Sequence, residues 1–258
     1  MKKNILFFVF AFPILFFYMI YKAHHDKIKH HTILDENIPS SFEGFRIFFI
    51  SDIHRRRIKE TTLRSITKDI DCVIIGGDLT EKNVPLKRIR SNLQELNKWN
   101  VPIYFVWGNN DYETNFEELY TLLDQENVIV LANSSKNIKR DDAVISFLGL
   151  DCSTYKEARL DLALRDAKGD YFILLTHMPS GYYDLEQKER DKLNVVLAGH
   201  THGGQIRIVG FGPYERGTFK KVGKTSILIS EGYGYTLLPF RLGTDAECHV
   251  ISLSKDRL

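Results

Sequence analysis

Five separate apolar segments of this 258-residue chain each end in an aspartate, an asparagine or a histidine. The first three, Arg46–Ile50, Cys72–Ile75 and 102–107, are continuous apolar runs, which predicts strands buried on both faces. Apolar residues at helical spacing follow each of them. Strands that alternate with amphipathic helices predict a parallel sheet covered on both faces, which is an α/β fold.

The second half of the chain is predicted to add a further sheet. Its short apolar segments indicate strands, and glycine-rich turns separate the last of them. The predicted strands are 128–131, 144–148, 171–175, 195–198, 206–209, 226–230 and 249–253. Because no linker-like stretch divides the two halves, residues 33–258 are predicted to form one domain with two packed sheets.

Polar side chains at the ends of the strands indicate a shared site. They are Asp52 with His54, Asp78, Asn109, His177, and His200 with His202. In open α/β sheets the loops beyond the carboxyl ends of the strands converge on one crevice. Local hydrogen bonding of core polar groups is the alternative, and five endings of one chemical kind argue against it.

The chemistry of these side chains predicts a catalytic metal centre. Carboxylate, imidazole and amide ligands without a thiolate are typical of manganese, iron or catalytic zinc and not of structural zinc. Seven ligands are too many for one ion that keeps a position open for water. Two ions sharing one carboxylate fit the count, and such a pair is used to hydrolyse phosphate esters.

The order of the motifs resembles that of the calcineurin-like metallophosphoesterases. The motifs are Asp52-Ile53-His54, Gly77-Asp78, Gly108-Asn109-Asn110-Asp111, His177 and Gly199-His200-Thr201-His202. The later segments Gly232-Tyr233-Gly234 and Leu238-Pro239-Phe240-Arg241, with Glu247, are similar to the membrane-associated bacterial branch of that family.

The resemblance implies a four-layer α/β/β/α sandwich with the site between its sheets. It also assigns ligands to two divalent ions. Asp52, His54 and His202 would hold one ion, Asn109, His177 and His200 the other, and Asp78 would bridge the two.

One motif position departs from the family. Asn110 stands where the family has a histidine that contacts the phosphate and is thought to protonate the leaving group. Asparagine donates hydrogen bonds but supplies no proton at neutral pH. Asp111 is kept, and we expect it to orient its neighbour. The function predicted is a dinuclear metal-dependent phosphoesterase acting on mono- or diesters or pyrophosphates; the alternative is a metal-binding regulatory or scaffold protein with weak or no catalysis.

The N-terminus is predicted to hold a membrane anchor. Residues 4–21 carry no charged side chain and are about long enough for one crossing, with Tyr18 and Tyr21 near the far boundary. A cleaved signal peptide is the alternative, disfavoured because Tyr21-Lys22-Ala23 offers only one of the two small residues that cleavage requires. Residues 1–32 are thus predicted to form a single-pass anchor and a solvated linker. Lysines on both sides leave the side of the catalytic domain undecided.

The net charge limits the kinds of partner that are expected. A formal net charge of +2 predicts no nucleic-acid partner, and we expect a monomer. The expected partner is a phosphorylated substrate, and an anchor would favour a lipid or envelope phosphate. The run Arg55-Arg56-Arg57 after His54 is either a solvated loop or a contact to a second phosphate or anionic head group.

Overall fold

The computed structural model describes the backbone of residues 2–256 and the side chains of residues 12–256. The strands are β1 (Asp26–Leu34), β2 (Arg46–Ile50), β3 (Cys72–Ile75), β4 (Ile103–Phe105), β5 (Val128–Val130), β6 (Ser134–Arg140), β7 (Ala143–Gly149), β8 (Tyr171–Leu175), β9 (Val195–Ala198), β10 (Thr218–Val222), β11 (Thr225–Ile229) and β12 (Ala246–Ser254). The helices are α1 (Lys2–His24), α2 (Glu60–Arg64), α3 (Leu86–Asn97), α4 (Asn109–Tyr112), α5 (Phe116–Gln125), α6 (Leu160–Arg165), α7 (Ser180–Tyr183) and α8 (Gln187–Arg190).

These strands form two six-stranded sheets. The first has the order β1-β12-β2-β3-β4-β5 and the second the order β10-β11-β9-β8-β7-β6. The neighbours β2 to β5 are parallel, and so are β7, β8, β9 and β11, while β12, β10 and β6 each pair antiparallel with a neighbour. The predicted α/β architecture with two sheets is confirmed.

Alternate residues of each central strand face different apolar layers. In β2, Ile47 and Phe49 pack between the two sheets, whereas Phe48 and Ile50 pack under helices α3 and α5. In the second sheet, Leu174 of β8 joins a separate cluster with residues of α6. Burial on both faces explains why the strands are continuous apolar runs. The layers therefore run helix, sheet, sheet, helix, as the resemblance implied.

Several segments differ from their prediction, and strands β6 and β10 were not predicted. Residues 26–32, predicted as part of a solvated linker, belong to β1, which pairs in parallel with β12 along its whole length. The predicted domain boundary at residue 33 falls inside this strand. Residues 206–209, predicted as a strand, lie in a loop that makes only isolated bridges.

The predicted membrane anchor at residues 4–21, and with it the single-pass localisation, is wrong. Within the part of the chain that the structure describes, no helix is both long and apolar enough to cross a membrane. The C-terminal half of α1 contacts the domain. The backbone N–H of Arg241 donates to the carbonyl of Met19 at 3.1 Å, and the ring of Phe16 packs edge-on against Phe240 with centroids 5.2 Å apart.

Ion pairs connect the N-terminal segment to β12 and to Asp245, the residue that precedes it. Lys22 of α1 and Lys27 of β1 both pair with Asp245, and Lys29 pairs with Glu247 at 2.5 Å. Burial alone would raise the pKa of Asp245, but hydrogen bonds and ion pairs with the two lysines outweigh it and lower that pKa to about 2. A depressed carboxyl pKa means that the folded state is stabilised above the ordinary pKa of 3.8 and loses this stabilisation as the pH falls towards 2.

Asp245→Asn tests this fastening. The substitution keeps the shape of the side chain but removes its charge, so we expect the free energy of unfolding to fall by about 1.5–3 kcal/mol near pH 7. The difference from the parent should shrink below about pH 4, where the parent carboxylate begins to lose its advantage. Urea titrations near pH 7 and near pH 3 measure both values. The exposed Asp124→Asn serves as control, and an equal loss at both pH values for Asp245→Asn would contradict the ion-pair account.

Candidate metal centre

The loops that follow β2, β3, β4, β8 and β9 bring the predicted ligands together at one end of the two sheets. Five of the seven predicted ligands have left-handed backbone conformations, which reverse the chain directly after a strand. Their φ values are 55° for Asp52, 52° for His54, 49° for Asp78, 71° for His200 and 49° for His202. Aspartate and histidine tolerate this region better than most residues, and such strain is concentrated at functional sites.

Asp52, His54 and His202 form the first group of converging ligand atoms. The Nε2 atoms of His54 and His202 lie 3.0 Å apart, and Nε2 of His202 lies 3.3 Å from Oδ1 of Asp52. All three residues are buried. Their donor atoms therefore point into one small volume inside the protein.

Asp78, His177 and His200 form the second group. Nε2 of His177 lies 3.3 Å from Oδ2 of Asp78 and 3.3 Å from Nδ1 of His200. The Oδ2 atom of Asp78 also lies 3.7 Å from Nε2 of His54, which belongs to the first group. Asp78 is therefore the carboxylate that joins the two groups.

The arrangement of donors fits divalent cations. Two nitrogens that each lie about 2.1 Å from a tetrahedral ion are about 3.4 Å apart, close to the 3.0 Å and 3.3 Å separations of the two histidine pairs. Asn109 supplies an independent sign, because its Oδ1 is buried without a hydrogen-bond partner. A buried amide oxygen without a partner is costly unless a cation binds it.

The charges in the site also favour a cation. Burial opposes protonation of His177, but the adjacent Asp78 outweighs it and raises the pKa of His177 to about 10. Burial acts against the charged form of Asp78 as well, yet the neighbouring histidines hold its pKa below the ordinary value. Burial lowers the pKa values of His200 and His202, which keeps these rings neutral and able to offer a lone pair.

Second contacts orient the ligand rings. Nδ1 of His177 is 2.8 Å from the carbonyl of Gly76, and Nδ1 of His54 is 3.2 Å from Oε2 of Glu81. The hydrogen bond of His177 directs its Nε2 inward, as outer partners of metal-ligating histidines do, and the carboxylate of Glu81 lies beside the outer nitrogen of His54. Glu81 was not among the residues predicted from the sequence, and its position three residues after Asp78 was the only signal there.

Arg241 supports the other side of the site. Its guanidinium is fully buried, donates to the carbonyls of Glu231 and Gly234 at 2.6 Å and 2.7 Å, and lies 3.2 Å from Nδ1 of His202. The segment that contains Arg241 was part of the resemblance to the metallophosphoesterases. Nothing in the sequence indicated that the residue is buried beside a predicted ligand. Its contacts with the carbonyls of Gly232 and Gly234 and with His202 fix the loop around Gly232 against His202.

Close packing around the ligands requires glycine at two points. A Cβ on Gly108 would lie 2.2 Å from the backbone nitrogen and Oδ1 of Asp78, and a Cβ on Gly199 would lie 2.6 Å from Oδ2 of Asp52. Real Cβ atoms do not approach other atoms so closely. The glycines in these motifs therefore allow the backbone to pass directly beside the carboxylates.

Asn110 and Asp111 occupy different positions. The Nδ2 of Asn110 donates to Oδ2 of Asp78 at 2.8 Å, and its backbone N–H donates to Oδ1 of Asp78 at 2.8 Å. Asp111 is fully buried, and its carboxylate accepts from the backbone N–H groups of Thr80 and Gly108 at 3.0 Å and 2.9 Å. Asp111 therefore holds two ligand-bearing loops together, and Asn110 contacts the bridging carboxylate directly.

The run Arg55-Arg56-Arg57 is divided between three environments. Arg56 is buried, its Nη2 donates to Oδ1 of Asp26 at 2.6 Å, and its guanidinium lies 4.2 Å from the ring centroid of Tyr233. Arg55 pairs with Glu81, and Arg57 is exposed. For Arg56 the prediction of a solvated loop is wrong, because the residue links β1 to the core.

A cleft of about 260 Å³ opens beside the ligands. Its lining combines predicted metal ligands and other polar residues with one aromatic side chain. These residues are Asp78, Asn109, Asn110, His200, Thr201, His202, Gly204, Gln205, Pro213, Tyr214 and Thr236. The cleft gives a small anionic group access to both ligand groups.

The chain is similar in sequence and in fold to several known proteins. The chain is 41% identical over 209 residues to the uncharacterized protein YpbG of Bacillus subtilis (strain 168), covering 80% of each chain. It is 28% identical over 252 residues to the uncharacterized metallophosphoesterase YkuE of the same organism, covering 90% of this chain and 87% of that one. Among solved structures, the fold is similar to that of the sulfate thiohydrolase SoxB of Thermus thermophilus, with a TM-score of 0.52, 14% identity, and coverage of 84% of this chain and 58% of that chain.

The family model for calcineurin-like phosphoesterases matches residues 45–204, which contain all seven predicted ligands. This span is more than half of the chain, and the resemblance of the five motifs is thereby confirmed. The chain belongs to the calcineurin-like phosphoesterase family.

Proposed function

We propose that the protein is a phosphoesterase that binds two divalent ions and hydrolyses phosphate mono- or diesters or pyrophosphates. The observation that carries the proposal is the position of Asp78, whose Oδ2 lies 3.3 Å from the His177 nitrogen and 3.7 Å from the His54 nitrogen. One carboxylate shared by two ligand groups suits a pair of ions better than two separate sites. Manganese, iron or zinc suits the mixed nitrogen and oxygen donors.

When bound, the two ions would supply a water nucleophile at neutral pH and neutralise the phosphoryl oxygens. The chain would hold the first ion through Asp52, His54 and His202. It would hold the second through Asn109, His177 and His200, with Asp78 shared. The cleft that Asn110 and Tyr214 line would then admit the phosphate ester.

Asn110 is expected to act as a positioning group in this reaction. Because its amide donates to Asp78, it fixes the direction in which the shared carboxylate offers its lone pairs. It has no acidic proton, so leaving groups of high pKa must depart without a protein acid at this position. The same observation supports a second candidate function, a metal-binding regulatory protein with weak or no catalysis.

Asp78→Asn is expected to be the most damaging substitution of a single ligand. The introduced amide offers one oxygen instead of two and neutralises a charge that both ions share, so metal affinity should fall by at least about 100-fold. Elemental analysis after loading with manganese should give about two ions per chain for the parent and one or none for the variant. The surface variant Asp124→Asn on α5 serves as control. A parent protein that retains one ion or none would contradict the dinuclear site.

Asn110→His tests the consequence of the missing acid. If chemistry limits the rate, the variant should hydrolyse an alkyl phosphate ester about 10-fold or more faster than the parent, whereas nitrophenyl esters, whose leaving group needs no proton, should gain much less. Kinetics on both esters with both metals bound measure the ratio. Asn110→Ala removes the bond to Asp78 without adding an acid and provides the control.

The outcomes separate the two functions. Equal effects of Asn110→His and Asn110→Ala on the alkyl ester would refute the role of the missing acid. If neither the parent nor Asn110→His hydrolyses any ester while both bind two ions, the regulatory metal-binding function replaces the enzymatic one.

A further inference from the structure

Two loops beside the cleft expose large apolar side chains to solvent. The first loop carries Ile208, Val209 and Phe211, which are 67%, 90% and 80% exposed, and the second carries Leu237 and Leu238, which are 87% and 59% exposed. We name these five residues the apolar rim. Contiguous exposed apolar groups mark binding surfaces more often than isolated ones do.

The backbone holds the most exposed members of the rim in an unfavourable conformation. Hydrogen bonds between Ile208 and Phe211 at 2.9 Å and 3.0 Å close a two-residue turn with φ of 52° at Val209 and 84° at Gly210. Leu237 has a φ of 58°. A β-branched or bulky residue with positive φ is a genuine outlier, and asparagine or glycine would suit such positions better. Neither backbone preference nor hydration favours these side chains here, which points to a use for them.

Specific contacts hold the two loops of the rim in place. The side chain of Gln205 donates to the carbonyl of Thr236 at 3.0 Å and accepts from the Thr236 backbone N–H at 2.8 Å, which joins one loop to the other. Arg207 donates to the carbonyls of Gly203 and Gly210 at 2.9 Å and 2.6 Å. These contacts hold the rim in a fixed position relative to the loop at His200–His202, which carries two predicted ligands.

The rim is continuous with the cleft. Gln205, Pro213, Tyr214 and Thr236 line the cleft, and Leu237 follows Thr236 directly in the chain. The ring of Tyr214 lies 6.1 Å from the ring of His200. The loops that carry the rim therefore also contribute to the lining of the cleft that would hold a phosphate.

We infer that the apolar rim binds the hydrocarbon part of an amphiphilic phosphate ester whose phosphate occupies the metal cleft. This inference deepens the proposed function and rests on it. A cleft of about 260 Å³ is small for a complete ligand of drug size, which usually fills about 300–1,000 Å³, so a longer substrate must extend beyond it. The five rim side chains offer apolar surface and no polar donor or acceptor, so an alkyl or acyl chain matches them and a polar extension does not.

The test compares two esters that differ only in chain length. The full chain loaded with manganese is assayed with methyl 4-nitrophenyl phosphate and with decyl 4-nitrophenyl phosphate below its micelle concentration. We expect kcat/KM to favour the decyl ester by about 10-fold or more. The combined variant Val209→Asn, Phe211→Ser and Leu237→Asn should lower that preference by at least about fivefold.

The variant is designed to fold. Asparagine tolerates the left-handed conformation at Val209 and Leu237, so thermal unfolding should occur at an unchanged or higher temperature. Tyr120→Asn, which removes a half-exposed aromatic residue from α5, serves as the matched control and should leave the preference for the decyl ester unchanged. An equal preference in the parent and the combined variant would overturn the inference.

Binding measurements separate this inference from the proposed function. If no form hydrolyses either ester, calorimetric titration with decylphosphonate and methylphosphonate still reports the preference, and its loss in the combined variant supports the rim while the enzymatic function fails. Binding to phosphatidylcholine vesicles is measured with and without dioleoyl phosphatidic acid. Binding that requires the phosphatidic acid indicates a lipid in a bilayer, and binding of decylphosphonate without vesicle binding indicates a free amphiphile. Self-association that disappears in the combined variant, with an unchanged chain-length preference, would instead assign the rim to contacts between copies of this chain and overturn the inference.

Discussion

The site depends on the contacts that the carboxylate of Asp78 makes with its neighbours. This carboxylate lies between the histidines of the two sheets, with one oxygen within 3.7 Å of His54 and within 3.3 Å of His177. Both of its oxygens also accept hydrogen bonds from Asn110. The left-handed turn after β3 and the close passage of Gly108 are the local conditions that place it there. Asp78 and His54 follow strands of the first sheet, and His177 follows a strand of the second. The packing of the two sheets against each other therefore sets the distances between the predicted ligands.

Several polar groups that are not among the predicted ligands support that centre. Arg241, Glu81 and Asp111 are not placed to be ligands, yet each contacts a ligand or the backbone of a ligand-bearing loop. Buried charges are stable only when they are paired or hydrogen-bonded, and Arg241 satisfies this condition mainly through carbonyl oxygens. The second half of the chain therefore contributes Arg241 in addition to the predicted ligands His177, His200 and His202.

The sequence predicted what short-range patterns encode and missed what depends on distant partners. The strands next to the ligands were recognisable because they are apolar on both faces and end in a metal-binding residue. Strand β1 was not, because an edge strand with Lys27 and Lys29 resembles a solvated linker until β12 is known to pair with it. The prediction of a solvated loop failed at Arg56 for the same reason, because a run of arginines does not indicate that one of them is buried beside Tyr233. Positions that need a positive φ, such as Val209, carried no signal because the residue there is not one that turns prefer.

The central claim is that Asp78 joins two ion sites, and an anomalous difference map from crystals grown with manganese tests it most directly. The account predicts two peaks about 3.5–4 Å apart. One should lie within bonding distance of Asp52, His54 and His202, the other within bonding distance of Asn109, His177 and His200, and the carboxylate of Asp78 should contact both. A single peak, or peaks only at the separate acidic cluster of Glu231, Asp245 and Glu247, would contradict the account.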